Sequence, residues 1–223
     1  MTIDAYVAEL RRAIVGPSRL KRDMVVEARD GLEDAAEALR AEGVPAAEAE
    51  RLAVVAFGTV REVAPGYQEE LTASAGRRLG LLLAVAGPMT WVIWWATWRL
   101  FPVEIGAWGE HPGWAPVVDA MLDGLHLFSG VLGVLIVAAL TRRGRRWSVG
   151  RTRLVARLAG AYVSLLVVLT FVLVLPLLSL GDTGADGYRN TPWTVATAAS
   201  AVLMGLQVRG ARRCLRLSRL PTA

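Results

Sequence analysis

Apolar residues recur at helical spacing over the first seventy positions and then merge into long continuous runs. Ile3, Tyr6, Val7, Leu10 and Ile14 share one face of a first helix, which Gly16 and Pro17 stop. A second helix is predicted over 18–42, with Leu20, Met24, Ala28, Leu32, Ala35 and Leu39 inward and Gly43 just past its end. Pro45 sits where a third helix begins, since a missing N–H costs nothing in the first turn. Its inward face is Ala49, Leu52, Ala53, Ala56 and Phe57, and Gly58 closes it. Thr59 and Glu62 then have the spacing of a capping box, each side chain taking the other's backbone N–H, ahead of a short helix carrying Val63, Tyr67 and Leu71. About seventy residues is near the lower limit for one self-sufficient core, so this bundle is expected to be only modestly stable alone.

Beyond a linker at 73–78 the pattern changes. The runs 79–100, 120–140 and 158–180 are each long enough to cross a hydrocarbon core of about 30 Å, and 193–208 is a shorter fourth candidate. In the first run Trp91, Trp94, Trp95 and Trp98 form a one-sided stripe expected to anchor at the membrane interface. Gly87, Pro88 and Pro176 are expected to kink their helices. Thr197, Ala201 and Gly205 recur every four residues, and a neighbouring helix is expected to pack closely on them.

Charge sets the orientation. Residues 1–76 hold 14 of the 20 acidic and 9 of the 25 basic groups, a balance of −5, which leaves 6 acidic and 16 basic groups, or +10, to the rest. The stretch between the second and third runs contains Arg142, Arg143, Arg145, Arg146, Arg151, Arg153 and Arg157, and the tail at 209–223 contains Arg209, Arg212, Arg213, Arg216 and Arg219; neither contains an acid. The other two connections carry one arginine each, Arg99 and Arg189. The positive-inside rule then places both termini and the second connection in the cytoplasm. Only an even number of spans allows this, so the expectation is four, in the plasma membrane.

Composition narrows the chemistry. With 54% hydrophobic residues the chain is more apolar than an ordinary soluble domain. Its one cysteine, Cys214, excludes an internal disulfide framework and a cysteine-based zinc site. The opening residues, with Asp4 and Glu9 among them, do not resemble a cleaved secretory signal. Lys21 is the single lysine, so no phosphate-cradling GxxxxGK[ST] loop can be written, and GxSxG, HExxH and GxGxxG are also missing. No catalytic group, cofactor or metal is expected.

Three sets of polar residues remain. Asp23, Glu27, Asp30, Asp34 and Glu37 fall on one stripe of the second helix, either a solvated face or a docking surface for a basic partner. Asp119, Asp123 and His126, at spacings of 4 and 3, share one face at the outer end of the second span; with Glu104, Glu110 and His111 nearby they form a candidate sensing face, or simply a hydrated helix end. Arg142, Arg143, Arg145, Arg146, Arg212 and Arg213 are expected to fix topology and meet anionic lipid headgroups rather than nucleic acid.

The segments YVAELRRAIVGPSRLKRDMVVEARDGLEDAAEAL and EAERLAVVAFGTVREVAPGYQEEL resemble the N-terminal module called the HAAS or permease-prefix domain. The likeness covers about residues 4–71 and is most specific over FGTVREVA, 57–64. It implies a bacterial, actinobacterial membrane protein, often encoded beside a PadR-like transcription regulator and in some cases carrying the module ahead of an ABC-type permease. It implies no catalytic residues. The expected architecture is all-α: a cytoplasmic helical bundle at 1–72, then a four-helix transmembrane domain at 79–208. The expected role is non-enzymatic, with a PadR-like regulator as signalling partner or, alternatively, an ABC-type transporter to which the chain is an accessory subunit; homo-oligomers are compatible with either.

Overall fold

The computed structural model describes residues 1–101, 113–142, 149–180 and 191–218. Seven helices account for nearly all of them, and no strand occurs among the described residues. In chain order they are α1 (Ile3–Ala13), α2 (Ser18–Ala41), α3 (Ala46–Phe57), α4 (Val60–Leu100), α5 (Ala115–Arg142), α6 (Val149–Leu180) and α7 (Thr191–Ser218). They fall into two compact units. One holds 1–74 with 149–153 and 216–218, and the other holds 75–101, 113–142, 154–180 and 191–215.

In the first unit, Thr2 caps α1 by accepting the Ala5 N–H at 3.3 Å, and the chain turns extended at Ile14. All five apolar residues expected inward on α1 are buried. The inward face of α2 is turned from the expected one: Val25, Ala28, Leu32 and Ala36 are buried, whereas Ala35 is exposed and Leu39 only half-buried. One residue of phase is about 100° of helix, and serving α1 and α3 at once sets the difference. On α3, Ala49, Ala53 and Val54 are buried, while the expected Ala56 is exposed. Tyr6 meets Phe57 edge to face at a centroid distance of 5.8 Å.

Helix ends follow local chemistry. Gly43 and Gly58 have φ of +93° and +97°, where an L side chain is strained. Pro45 stands just before the first turn of α3, which begins at Ala46, and makes no side-chain cap. Thr59 and Glu62 form a one-sided version of the expected box: Glu62 Oε2 accepts from both the Thr59 N–H at 2.9 Å and the Thr59 hydroxyl at 2.8 Å. The Thr59 hydroxyl is thereby spent on the carboxylate.

The expected linker at 73–78 is helical, and so are Gly87 and Pro88. Gln68, 7% exposed, holds the α1–α2 turn against α4: its Oε1 accepts the Val15 N–H at 2.8 Å and its Nε2 donates to the Val15 carbonyl at 2.9 Å. Beside it, Glu69 accepts the Thr152 hydroxyl at 2.8 Å.

The second unit is built around Leu79, Leu83, Ile136, Leu140, Ala156, Ala159, Val163, Leu166, Ala211 and Cys214. α4 and α5 touch backbone to backbone. A methyl at Gly133 would strike Ala84 N and Gly80 O, and one at Gly87 would strike the His126 carbonyl. Such seams let membrane helices associate where hydrophobic attraction between them is weak. Tyr162 and Ser129 share a 2.7 Å hydrogen bond between α6 and α5.

Among the described residues three helical stretches are long and apolar enough to cross a membrane: Val60–Leu100, Ala115–Thr141 and Arg151–Leu175. Their outward faces carry exposed Leu81, Val85, Val92, Val131, Val134, Leu135, Leu165, Val168, Phe171 and Val172, an apolar surface suited to contact with lipid.

Candidate functional site

The acidic stripe of α2 is intact. Asp23, Glu27, Asp30, Asp34 and Glu37 are all exposed, and none makes an ion pair or hydrogen bond among the described residues. Several other acids of the same unit are engaged, although, among the described residues, Glu9, Glu42 and Glu50 are not. Arg29 bonds Asp4 and, at 3.5 Å, Glu33; Arg51 bonds Glu48 at 2.6 and 2.9 Å. The hydrogen bond to Asp4 chiefly raises the Arg29 pKa, and the Arg51 hydrogen bond lowers that of Glu48. Thr59 lowers Glu62 through its backbone N–H first and its hydroxyl second, while burial raises the Tyr6 phenol. Internal pairing therefore engages Asp4, Glu33 and Glu48, while the five carboxylates of the stripe have no direct ion-pair partner among the described residues.

On α5, Asp119 and Asp123 are exposed and His126 is half-buried, its carbonyl turned to Gly87 of α4. α5 starts at Ala115, five residues before the expected span, so Asp119 lies within the second helical turn. Among the described residues no group of three or more His, Cys, Asp and Glu side chains converges as a metal site. Glu104, Glu110 and His111 lie outside the described residues, as do Arg143, Arg145, Arg146 and the side chain of Arg142. Arg212 and Arg213 are exposed on α7.

The tryptophan stripe divides in two. Trp91 and Trp95 stack at 6.5 Å, and the Arg99 guanidinium lies 6.0 Å from the Trp95 ring centre. Trp94 and Trp98 instead pack on Trp193 of α7, at centroid distances of 5.7 and 4.5 Å, and Trp94 Nε1 donates to Ser200 Oγ at 3.1 Å. This aromatic clasp went unread in the sequence, where residue 193 was only the start of the fourth candidate run. The small-residue stripe behaves in the opposite way: Thr197, Ala201 and Gly205 are exposed, and a methyl on Gly205 would meet nothing within 4 Å. Packing in α7 falls on Trp193, Ala196, Gln207 and Ala211 instead, because the clasp sets the helix phase.

One groove lies between α6 and α7, of about 230 Å³, lined by Val163, Ser164 and Val167 on one side and Val208, Ala211 and Arg212 on the other. Apart from Arg212 and the Ser164 hydroxyl, which donates to the Gly160 carbonyl at 3.1 Å, its side chains are apolar.

No protein-family model, curated protein or solved structure matches the chain. Fold and surface chemistry thus define its class directly: an all-helical membrane protein with at least three helices fit to meet the bilayer.

Proposed function

We propose that the chain is a non-enzymatic, four-span protein of the plasma membrane, and that its N-terminal helices, in the manner of the HAAS modules they resemble, bind a protein partner in the cytoplasm. The partner we favour is a PadR-like regulator, which would link membrane state to transcription. The observation that carries the reading is the acidic stripe of α2, five exposed carboxylates along one helix, none of them in an ion pair among the described residues. Complementary charge of this kind speeds and orients association with a basic surface.

The four-span topology has its own support. α7 runs antiparallel to the apolar part of α4, from the Trp94, Trp98 and Trp193 clasp at one end to Gly210 at the other, where a Cβ would lie 3.0 Å from Leu79 Cδ1. A helix packed along a membrane span near both of its ends supports a fourth crossing. By composition alone α7 is not among the stretches apolar enough to cross, because threonines, serines and Gln207 dilute its apolar run.

The test is crosslinking and affinity capture of the full-length protein in mild detergent, beside an Asp30→Lys, Asp34→Lys variant. Recovery of a small DNA-binding protein by the parent chain and its loss from the variant is the expected result. Recovery of an ATPase, undiminished in the variant, would favour the transporter-subunit reading, since this chain has no nucleotide loop of its own.

A further inference from the structure

We propose that the groove between α6 and α7 holds one anionic phospholipid, with an acyl chain along Val163, Val167, Val208 and Ala211 and its phosphate on Arg212. This rests on the four-span reading, which puts the groove in the bilayer.

The groove follows from side-chain size. At Gly160 the two helices are in close contact, where a Cβ would stand 2.7 Å from Leu215 Cγ and 3.2 Å from the Ala211 carbonyl. One and two turns further along α6, Val163 and Val167 face Val208, and the side chains leave the cleft of about 230 Å³ unfilled. Val208, Ala211 and Arg212 stand at i, i+3 and i+4, so the guanidinium lies on the face of α7 that forms the cleft wall.

Arg212 is exposed and has no ion-pair or hydrogen-bond partner among the described residues. It lies four residues past the expected end of the fourth span, about 6 Å along the helix axis and thus near headgroup depth. A guanidinium presents a planar fork of donors that suits phosphate oxygens. An aqueous anion would gain nothing from four apolar neighbours, and a neutral hydrocarbon nothing from the charge. A ligand with a phosphate at one end and a hydrocarbon chain at the other satisfies both, and a net negative headgroup best complements an unpaired cation.

The full-length protein, purified in mild detergent and equilibrated with vesicles of equal phosphatidylglycerol and phosphatidylcholine, is analysed by native mass spectrometry. The expected result is one retained phosphatidylglycerol. Arg212→Gln should lower retention about fivefold, as befits one charge at the membrane surface, and Arg212→Lys should lower it less. Val208→Trp, which fills the cleft and keeps every charge, should also release the lipid, whereas Arg213→Gln should not. Equal retention by Arg212→Gln and the parent, or displacement by inorganic phosphate alone, would overturn the site. A C-terminal alkaline phosphatase fusion separates the two readings: lost selectivity with an inactive, cytoplasmic fusion overturns the lipid site only, and an active fusion overturns the four-span topology and the site with it.

Discussion

Tyr6 is wholly buried, and its hydroxyl has no hydrogen-bond partner among the described residues. Leaving such a group unpaired costs about 1–3 kcal/mol, so Tyr6→Phe, which keeps the edge contact with Phe57, should hold or raise the melting temperature of the full-length protein, while Tyr6→Ala should cost about 3–5 kcal/mol. Glu62 makes the opposite argument. Its folded pKa is depressed by the two Thr59 donors, so its contribution is present above the unfolded carboxyl pKa of about 4.3 and fades as pH falls through the lower folded value. Glu62→Gln should therefore flatten the acid limb of a melting-temperature profile taken from neutral pH downward, and a profile as steep as the parent's would refute that role. Residues of this kind differ in how legible they are from sequence. The Thr59–Glu62 spacing announced a cap, whereas Gln68 drew no notice, because nothing local reveals that its amide meets Val15, 53 positions away.

Periodicity located α1, α2 and α3 to within a residue or two, because propensity, caps and apolar spacing are local properties, but it split α4 at an expected linker, 73–78, and missed the polar extensions that start α6 at Val149 and carry α7 on to Ser218. Helix phase was less accessible. It depends on which neighbours a helix must serve, so α2 buries Ala36 in place of Ala35, and α7 follows Trp193 rather than its small residues. Glycine was the least transparent. In an apolar run it marks either a seam or a gap, and only the facing helix decides which. Gly133 belongs to a seam, so Gly133→Val should break the α4–α5 contact and reduce the yield of monodisperse protein. Gly205 faces open space, so Gly205→Ala should be neutral or stabilise by up to about 1 kcal/mol through helix propensity. Size-exclusion profiles and thermal melts of the two variants, taken together, check the assignment.

For the molecule as a whole, the membrane class was legible because lipid contact requires length and apolarity that no soluble helix of this size would expose. The proposed partner is a matter of charge, which sequence shows only as a count; the structure adds which acids are already paired. If the open stripe of α2 steers association, capture of the partner should decline steeply as salt rises to about 0.5 M, since exposed charges are screened over a few ångströms there. Capture indifferent to salt would place the binding energy elsewhere. Cys214 has a further consequence. It is fully buried among Leu79, Ala156 and Ala211, and burial pushes its thiol up to about 11, so it should resist maleimide until the protein is denatured. The natural chain can then serve as its own cysteine-less background: a reporter thiol placed on any exposed position would be the one site labelled, and spectroscopic probes could be attached without first disturbing the core.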